Sequence, residues 1–183
     1  QLGRDLHSVI NQLETDDPLI LIGHSMGGMS ILALVEQHPE IFGARVIGVG
    51  LISSSATSVA TSSLGLPMPI SRFVQSLVPG VAAAVAKGGV ALSHSRWSKT
   101  DLGLLITRLY SFGSVAPIRA GEFVADMVSS TDFNILVNFL PNIYEHNTLE
   151  SLEPLQQVET LVITGESDRV VPPAMSESII ERV

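Results

Sequence analysis

Cysteine is absent from the 183 residues of the sequence. Without a thiol, the chain can form no disulfide framework, cysteine nucleophile or cysteine-ligated zinc site. Basic residues are scarce as well, because 10 Lys and Arg stand against 18 Asp and Glu, for a formal net charge of -8. Binding to nucleic-acid phosphates needs a concentrated basic face, so we expect no nucleic-acid partner.

Long apolar runs are also missing. A membrane-spanning helix needs roughly 20 uninterrupted apolar residues. The longest candidate, residues 77–92, is interrupted by proline, glycine and lysine. We therefore expect no transmembrane segment in this chain and favour a cytoplasmic location. Since the chain begins at Gln1, inside a helical pattern, we expect its natural start to lie upstream.

Short apolar runs alternate with amphipathic helical patterns near both ends of the chain. The pattern predicts helices over residues 2–13, 29–37 and from 175 onward, and strands over residues 19–22, 45–52 and 160–164. Strand, helix and strand with short links form the βαβ unit of a parallel sheet. The predicted class is therefore α/β, with a mostly parallel sheet flanked by helices and each strand covered on both faces.

The middle of the chain breaks this alternation. A Ser- and Thr-rich linker begins at residue 53, and helical periodicity follows with no further strand pattern. Candidate helices lie near residues 70–77, 100–110, 118–128 and 133–140. We predict three segments: part of the core over residues 1–62, an inserted helical lid over 63–153, and the rest of the core over 154–183.

One motif carries the chemistry. The sequence GHSMGG, residues 23–28, follows an apolar strand and opens a helix, which is the context of the G-x-S-x-G nucleophile elbow. In such a turn the strained nucleophile, here Ser25, needs small neighbours, and we expect Gly23 and Gly27 to supply that clearance. Gly28 keeps the first helical turn slim. The alternative is a plain glycine-rich turn.

The start of the helix offers a partner for negative charge. Its free backbone N–H groups point toward the nucleophile, so the N–H of Met26 is the predicted oxyanion donor. His24 is part of the elbow, but adjacent residues of a tight turn point in different directions. We therefore expect His24 to be a packed, hydrogen-bonded histidine, not the base.

A carboxylate follows the last predicted strand. Asp168 lies just beyond the carboxyl end of that strand, at the edge where α/β active sites gather, and it could orient an imidazole. Glu166 is the competing carboxylate, and a solvated loop position is the alternative for both.

The chain resembles the alpha/beta-hydrolase superfamily, specifically its lidded lipase- and esterase-like members, over its whole length. The resemblance rests on GHSMGG, on RVIGVGLISSSA and on PLQQVETLVITGESDRVVPP. It implies Ser25 as nucleophile, Asp168 as acid, a histidine after the acid, and a lid at the helical insert. Some relatives place the acid one strand earlier, where this chain has only Ile52 followed by serines.

The main departure from the family pattern is the histidine, because none follows His146. His94 and His146 precede Asp168, so either as base would break the family's order. We therefore expect a fragment that lacks the N-terminal strands and the C-terminal histidine region, and that is inactive and poorly folded alone. No metal-binding or phosphate-binding motif is present in the sequence, so we expect no cofactor.

These observations predict a serine hydrolase that acts on carboxylic esters of lipid-like or small apolar acyl groups, with a small-molecule ester as its partner. The alternatives are a ligand-binding or receptor protein that keeps the fold without turnover, and a perhydrolase or acyltransferase on the same scaffold. Apolar residues of the insert could line an acyl pocket or simply pack the lid on the core: Met68, Phe73, Leu77, Leu104, Leu105, Phe112, Phe123 and Phe139.

Overall fold

The computed structural model describes residues 1–59, 112–113, 117–130, 139, 142–143 and 145–183. The chain divides into two units. The sheet unit comprises residues 1–59, 146–166 and 171–183, and the insert unit comprises residues 60–145 and 167–170.

The sheet unit alternates strands and helices, as the sequence predicts. Its elements are α1 (Leu2–Asn11), β1 (Leu19–His24), α2 (Met26–Gln37), β2 (Val46–Ile52), β3 (Glu159–Ile163) and α4 (Pro173–Ile180), with 3-10 turns at Pro39–Ile41, Leu149–Ser151 and Glu153–Gln157. Helix α2 ends just before His38-Pro39, since proline disfavours helix at the preceding residue. The expected α/β class with a parallel sheet is confirmed.

The three strands run parallel in the order β1-β2-β3. The register pairs Gly23 with Leu51 and His24 with Ile52, and Ile52 in turn with Ile163. All three strands therefore end at the same edge of the sheet, and Ser25 follows directly at that edge.

The core lies on one face of this sheet. One cluster of buried residues joins α1, α2, the strands and α4, and includes Ile10, Leu32, Val35, Val49, Leu51, Leu155 and Ile179. Helices α1 and α2 pack closely, because a Cβ added at Gly3 would lie 2.8 Å from the Ala33 carbonyl carbon. The helical layer thus covers the sheet from the face of Val49 and Leu51.

The opposite face of the sheet is exposed, which corrects the expectation that both faces are covered. Ile22 is 70% exposed and Leu161 is 60% exposed, and Ile20 and Ile163 share this face. Gly48 and Gly50 of β2 lie between them. The apolar runs of β1 and β3 did indicate strands, but the helices of the sheet unit, α1, α2 and α4, join the core on the other face.

The chain returns to the sheet unit close to where it leaves. The Thr148 N–H donates to the Ala56 carbonyl at 2.8 Å, and His146 Nε2 donates to the Ser55 carbonyl at 3.1 Å. Of the helices predicted between these points, that near 118–128 is present as α3 (Ile118–Ser130), in the insert unit. Those near 70–77, 100–110 and 133–140 fall wholly or largely outside the described residues, and the lid itself remains a prediction.

Within the portion of the chain that the structure describes, no helix is both long and apolar enough to cross a membrane.

The half-buried ring of His146 leads to a prediction about pH. Burial lowers the pKa of His146 below its usual 6.5, although the Ser55 carbonyl partly opposes this. The unfolded chain then binds more protons than the folded chain just below pH 6.5, so the free energy of unfolding should fall as the pH falls through that region. We expect His146→Gln to reduce this pH dependence in urea unfolding of the complete protein between about pH 7.5 and 5.5.

His24→Gln is the control for that measurement, because His24 is exposed. It should keep the pH dependence of the parent chain. If the free energy of unfolding changed equally with pH in the parent and in His146→Gln, the pH dependence could not be assigned to His146.

Candidate active site

Ser25 occupies a sharp reversal between β1 and α2. It is the N-cap residue of α2 with φ 51° and ψ -118°, a conformation that residues with a side chain rarely adopt. Such backbone strain costs on the order of 1–3 kcal/mol and persists only where neighbouring structure enforces it.

Hydrogen bonds on both sides of Ser25 hold the reversal. Its N–H donates to the Ile52 carbonyl at 2.9 Å, and its carbonyl accepts from the N–H groups of Gly28 and Met29 at 3.0 and 3.2 Å. The same carbonyl accepts from Ser54 Oγ at 2.9 Å. The turn is therefore tied both to the first turn of α2 and to the end of β2.

Gly23 and Gly28 allow β1, α2 and the end of β2 to pack closely around this turn. A Cβ at Gly23 would lie 2.5 Å from the backbone of Gly27 and of Gly28, and a Cβ at Gly28 would lie 2.5 Å from the Ser54 Cβ. At Gly27 a Cβ would meet nothing within 4 Å in the part of the chain described. The expectation that Gly27 supplies clearance is therefore wrong, and Gly28 takes that place because it faces the buried Ser54.

Ser54 is a positioning residue that sequence reasoning missed. Its side chain is buried, and its hydroxyl caps the Ser25 carbonyl. The sequence signal for this role is the run of serines at the end of β2. Ser53 beside it has φ 44°, and its N–H donates to the Ile163 carbonyl at 2.7 Å.

The backbone N–H groups of the first turn of α2 lie next to Ser25, which is the N-cap of that helix. The amides of Gly28 and Met29 already bond the Ser25 carbonyl, whereas the amide of Met26 precedes the first intrahelical bond. The helix dipole adds partial positive charge at this end. The arrangement could therefore stabilise negative charge next to the Ser25 side chain.

The histidines fall in different places. His24 ends β1 and is exposed, so the expectation that it is packed is wrong; it lies on the uncovered face of the sheet. His146 donates a hydrogen bond to the Ser55 carbonyl. His94 lies outside the described residues. The structure also brings His7 and His38 together with Glu40, which the spacing of the histidines along the chain did not indicate.

Asp168 lies five residues beyond the end of β3, in the short segment that belongs to the insert unit. Its Oδ1 accepts from the Val170 N–H at 2.9 Å, which shapes the loop locally. Asp168 is half-buried, whereas Glu166 is exposed. Its role as the acid remains a prediction.

The packing at Gly23 and Gly27 can be tested by measuring the free energy of unfolding of alanine variants. We expect Gly23→Ala to destabilise the chain by about 1–3 kcal/mol, because the added methyl meets backbone that cannot rotate away. Gly27→Ala is the matched control and should leave stability unchanged or raise it by up to about 1 kcal/mol, since alanine favours helix. Urea unfolding of the complete protein measures both changes, and equal losses of unfolding free energy at the two positions would contradict the packing of Gly23 against the backbone of Gly27 and Gly28.

A family model described as the alpha/beta hydrolase family matches residues 2–183. A search of characterised protein sequences gave no significant match.

Several solved structures share the fold. A bromoperoxidase from Bacillus anthracis matches with a TM-score of 0.66 at 16% identity, covering 99% of this chain and 61% of that chain. A hydrolase from Pseudomonas aeruginosa PA01 matches with a TM-score of 0.63 at 21% identity, covering 98% and 58% respectively. A monoacylglycerol lipase from Paleococcus ferrophilus matches with a TM-score of 0.57 at 18% identity, covering 99% and 59%.

The chain thus spans about three fifths of the length of these structures. At such low identity the similarity demonstrates the fold alone, and the family model adds a match along nearly the whole sequence. Together with the parallel sheet and its flanking helices, this match shows that the chain belongs to the alpha/beta hydrolase family.

Proposed function

We propose that the protein is a serine hydrolase that cleaves carboxylic esters of lipid-like or small apolar acyl groups. The observation that carries the proposal is the backbone of Ser25, with φ 51° at the N-terminus of α2. A strained serine between a parallel strand and a helix is the arrangement that a nucleophile elbow requires. Four hydrogen bonds and two tightly packed glycines maintain a conformation that a merely structural serine does not need.

In the proposed mechanism, Ser25 Oγ attacks the ester carbonyl carbon while a histidine removes its proton. The carbonyl oxygen becomes an oxyanion, which accepts a hydrogen bond from the Met26 N–H. The histidine then returns the proton to the departing alkoxide, and water releases the acyl group by the same steps. Asp168 would orient the histidine and stabilise its protonated form.

The proposed base comes from outside the 183 residues. In the family's order it follows the acid, and no histidine follows Asp168 in this sequence. His146 is a poor candidate, because its Nε2 is engaged by the Ser55 carbonyl and burial lowers its pKa.

The proposed preference for apolar acyl groups rests on the apolar residues of the insert. Of those, the structure describes Phe112, Phe123 and Phe139. Phe123 on α3 is 65% exposed, so it has surface to offer an acyl chain. The similar structures include a monoacylglycerol lipase and a membrane phospholipase A, which supports this substrate class.

The alternative is a ligand-binding protein that keeps the fold without turnover. Ester turnover by the complete protein excludes it. A perhydrolase or acyltransferase would use the same residues and would differ in the acceptor of the acyl group, hydrogen peroxide or an alcohol in place of water.

Replacement of the nucleophile tests the proposal. In the complete protein, Ser25→Ala should lower the hydrolysis of short p-nitrophenyl esters by about 10⁴-fold or more, because the covalent step is lost. Thermal melting should show that the variant remains folded. A folded variant that keeps a tenth of the parent rate would overturn the assignment.

The two carboxylates after β3 form a second test. We expect Asp168→Asn to lower kcat by about 10³ to 10⁴, because the imidazole loses its orientation and correct tautomer. Glu166→Gln, two residues earlier and exposed, is the matched control and should change kcat little. A larger loss in Glu166→Gln than in Asp168→Asn would transfer the role to Glu166.

A further inference from the structure

Two histidines and a glutamate meet at the end of α2 opposite Ser25. His7 lies on α1, His38 caps the C-terminus of α2, and Glu40 lies in the 3-10 turn that follows. Helix α2 has 12 residues, so this cluster is about 18 Å along the helix from Ser25. None of the three residues has a part in the proposed hydrolysis.

The donor atoms are spaced for a single ion. One ligand atom from each of the three side chains lies within 4.8 Å of the other two. His38 Nδ1 is 3.3 Å from Glu40 Oε1, and the rings of His7 and His38 stack with centroids 3.6 Å apart and planes 18° apart. Two ligands at 2.0–2.2 Å from a tetrahedral ion are themselves about 3.4 Å apart. Because the lone pairs of an imidazole lie in the ring plane, one of the two stacked rings has to rotate out of the stack before both can bind the same ion.

The local charge favours a cation. The C-terminus of α2 carries the partial negative charge of the helix dipole, and neither α1 nor α2 has a basic residue in its last turn. Arg4, three positions before His7, is the one lysine or arginine on α1, and α2 carries none.

The backbone around the cluster is held in place. Gly3 brings α1 against α2, and the turn at Glu40 is closed by the Phe42 N–H, which donates to the Pro39 carbonyl at 3.2 Å. The ligands therefore come from three segments whose positions are set by packing, which lowers the cost of organising them around an ion.

We propose that His7, His38 and Glu40 bind one borderline divalent transition-metal ion of the Zn²⁺ or Cu²⁺ class. Two imidazoles and one carboxylate suit these ions, whereas calcium and magnesium prefer oxygen ligands alone. The fourth position is taken by water. Since the ligands join α1 to the end of α2, the bound ion cross-links the two helices and stabilises the folded chain.

The test is a Zn²⁺ titration by calorimetry on protein free of any polyhistidine tag. We expect one ion per chain, and a loss of affinity of at least about tenfold in each of His7→Gln, His38→Gln and Glu40→Gln. The controls are His24→Gln, which removes an exposed imidazole elsewhere, and Glu14→Gln, which removes one exposed negative charge. Both should retain the parent affinity.

Electron paramagnetic resonance of the Cu²⁺-loaded protein identifies the ligands directly. The parent should show coupling to two imidazole nitrogens, and His7→Gln should show coupling to one. Three separate variants keep the test valid if one of them fails to fold. The absence of Zn²⁺ binding, or equal affinity in the parent and in all folded variants of the three ligands, would overturn the proposal, whatever the result for ester hydrolysis.

Discussion

The reversal of the backbone at Ser25 is the constraint on which the rest of the site depends. A residue with a side chain is held at φ 51° because its carbonyl accepts three hydrogen bonds and its N–H donates a fourth. Relaxing the turn would disturb β1, the first turn of α2 and the end of β2 together. The strain, on the order of 1–3 kcal/mol, is therefore distributed over contacts that the fold already makes.

The same turn explains why the surrounding residues are small. Gly23 packs against the backbone of Gly27 and Gly28, and Gly28 packs against Ser54, so the strand and helix approach more closely than side chains allow. Ser54 in turn bonds the Ser25 carbonyl, which links β2 to the nucleophile position. The sheet thus contributes its edge to the site, while its core face anchors α2 through Leu32 and Val35.

Much of this could be predicted from sequence. The apolar runs predicted the three strands, the short helical link between the first two predicted their parallel pairing, and GHSMGG predicted Ser25 at the turn. The roles of Gly27 and Gly28 were not predictable, because the motif does not reveal which glycine faces Ser54. The exposure of Ile20 and Ile22 was not predicted, because a continuous apolar run does not indicate which face of the strand the helices cover. His7 and His38 are 31 positions apart, so only the packing of α1 on α2 joins them.

The central claim, that the strained turn presents Ser25 as an activated nucleophile, is tested most directly by covalent labelling. A fluorophosphonate probe reacts quickly only with a serine whose hydroxyl is activated. We expect peptide mapping by mass spectrometry of the labelled complete protein to place the adduct on Ser25, and to find none on the neighbouring Ser53 and Ser54. An adduct on another residue, or no labelling of the folded and complete protein, would contradict the account.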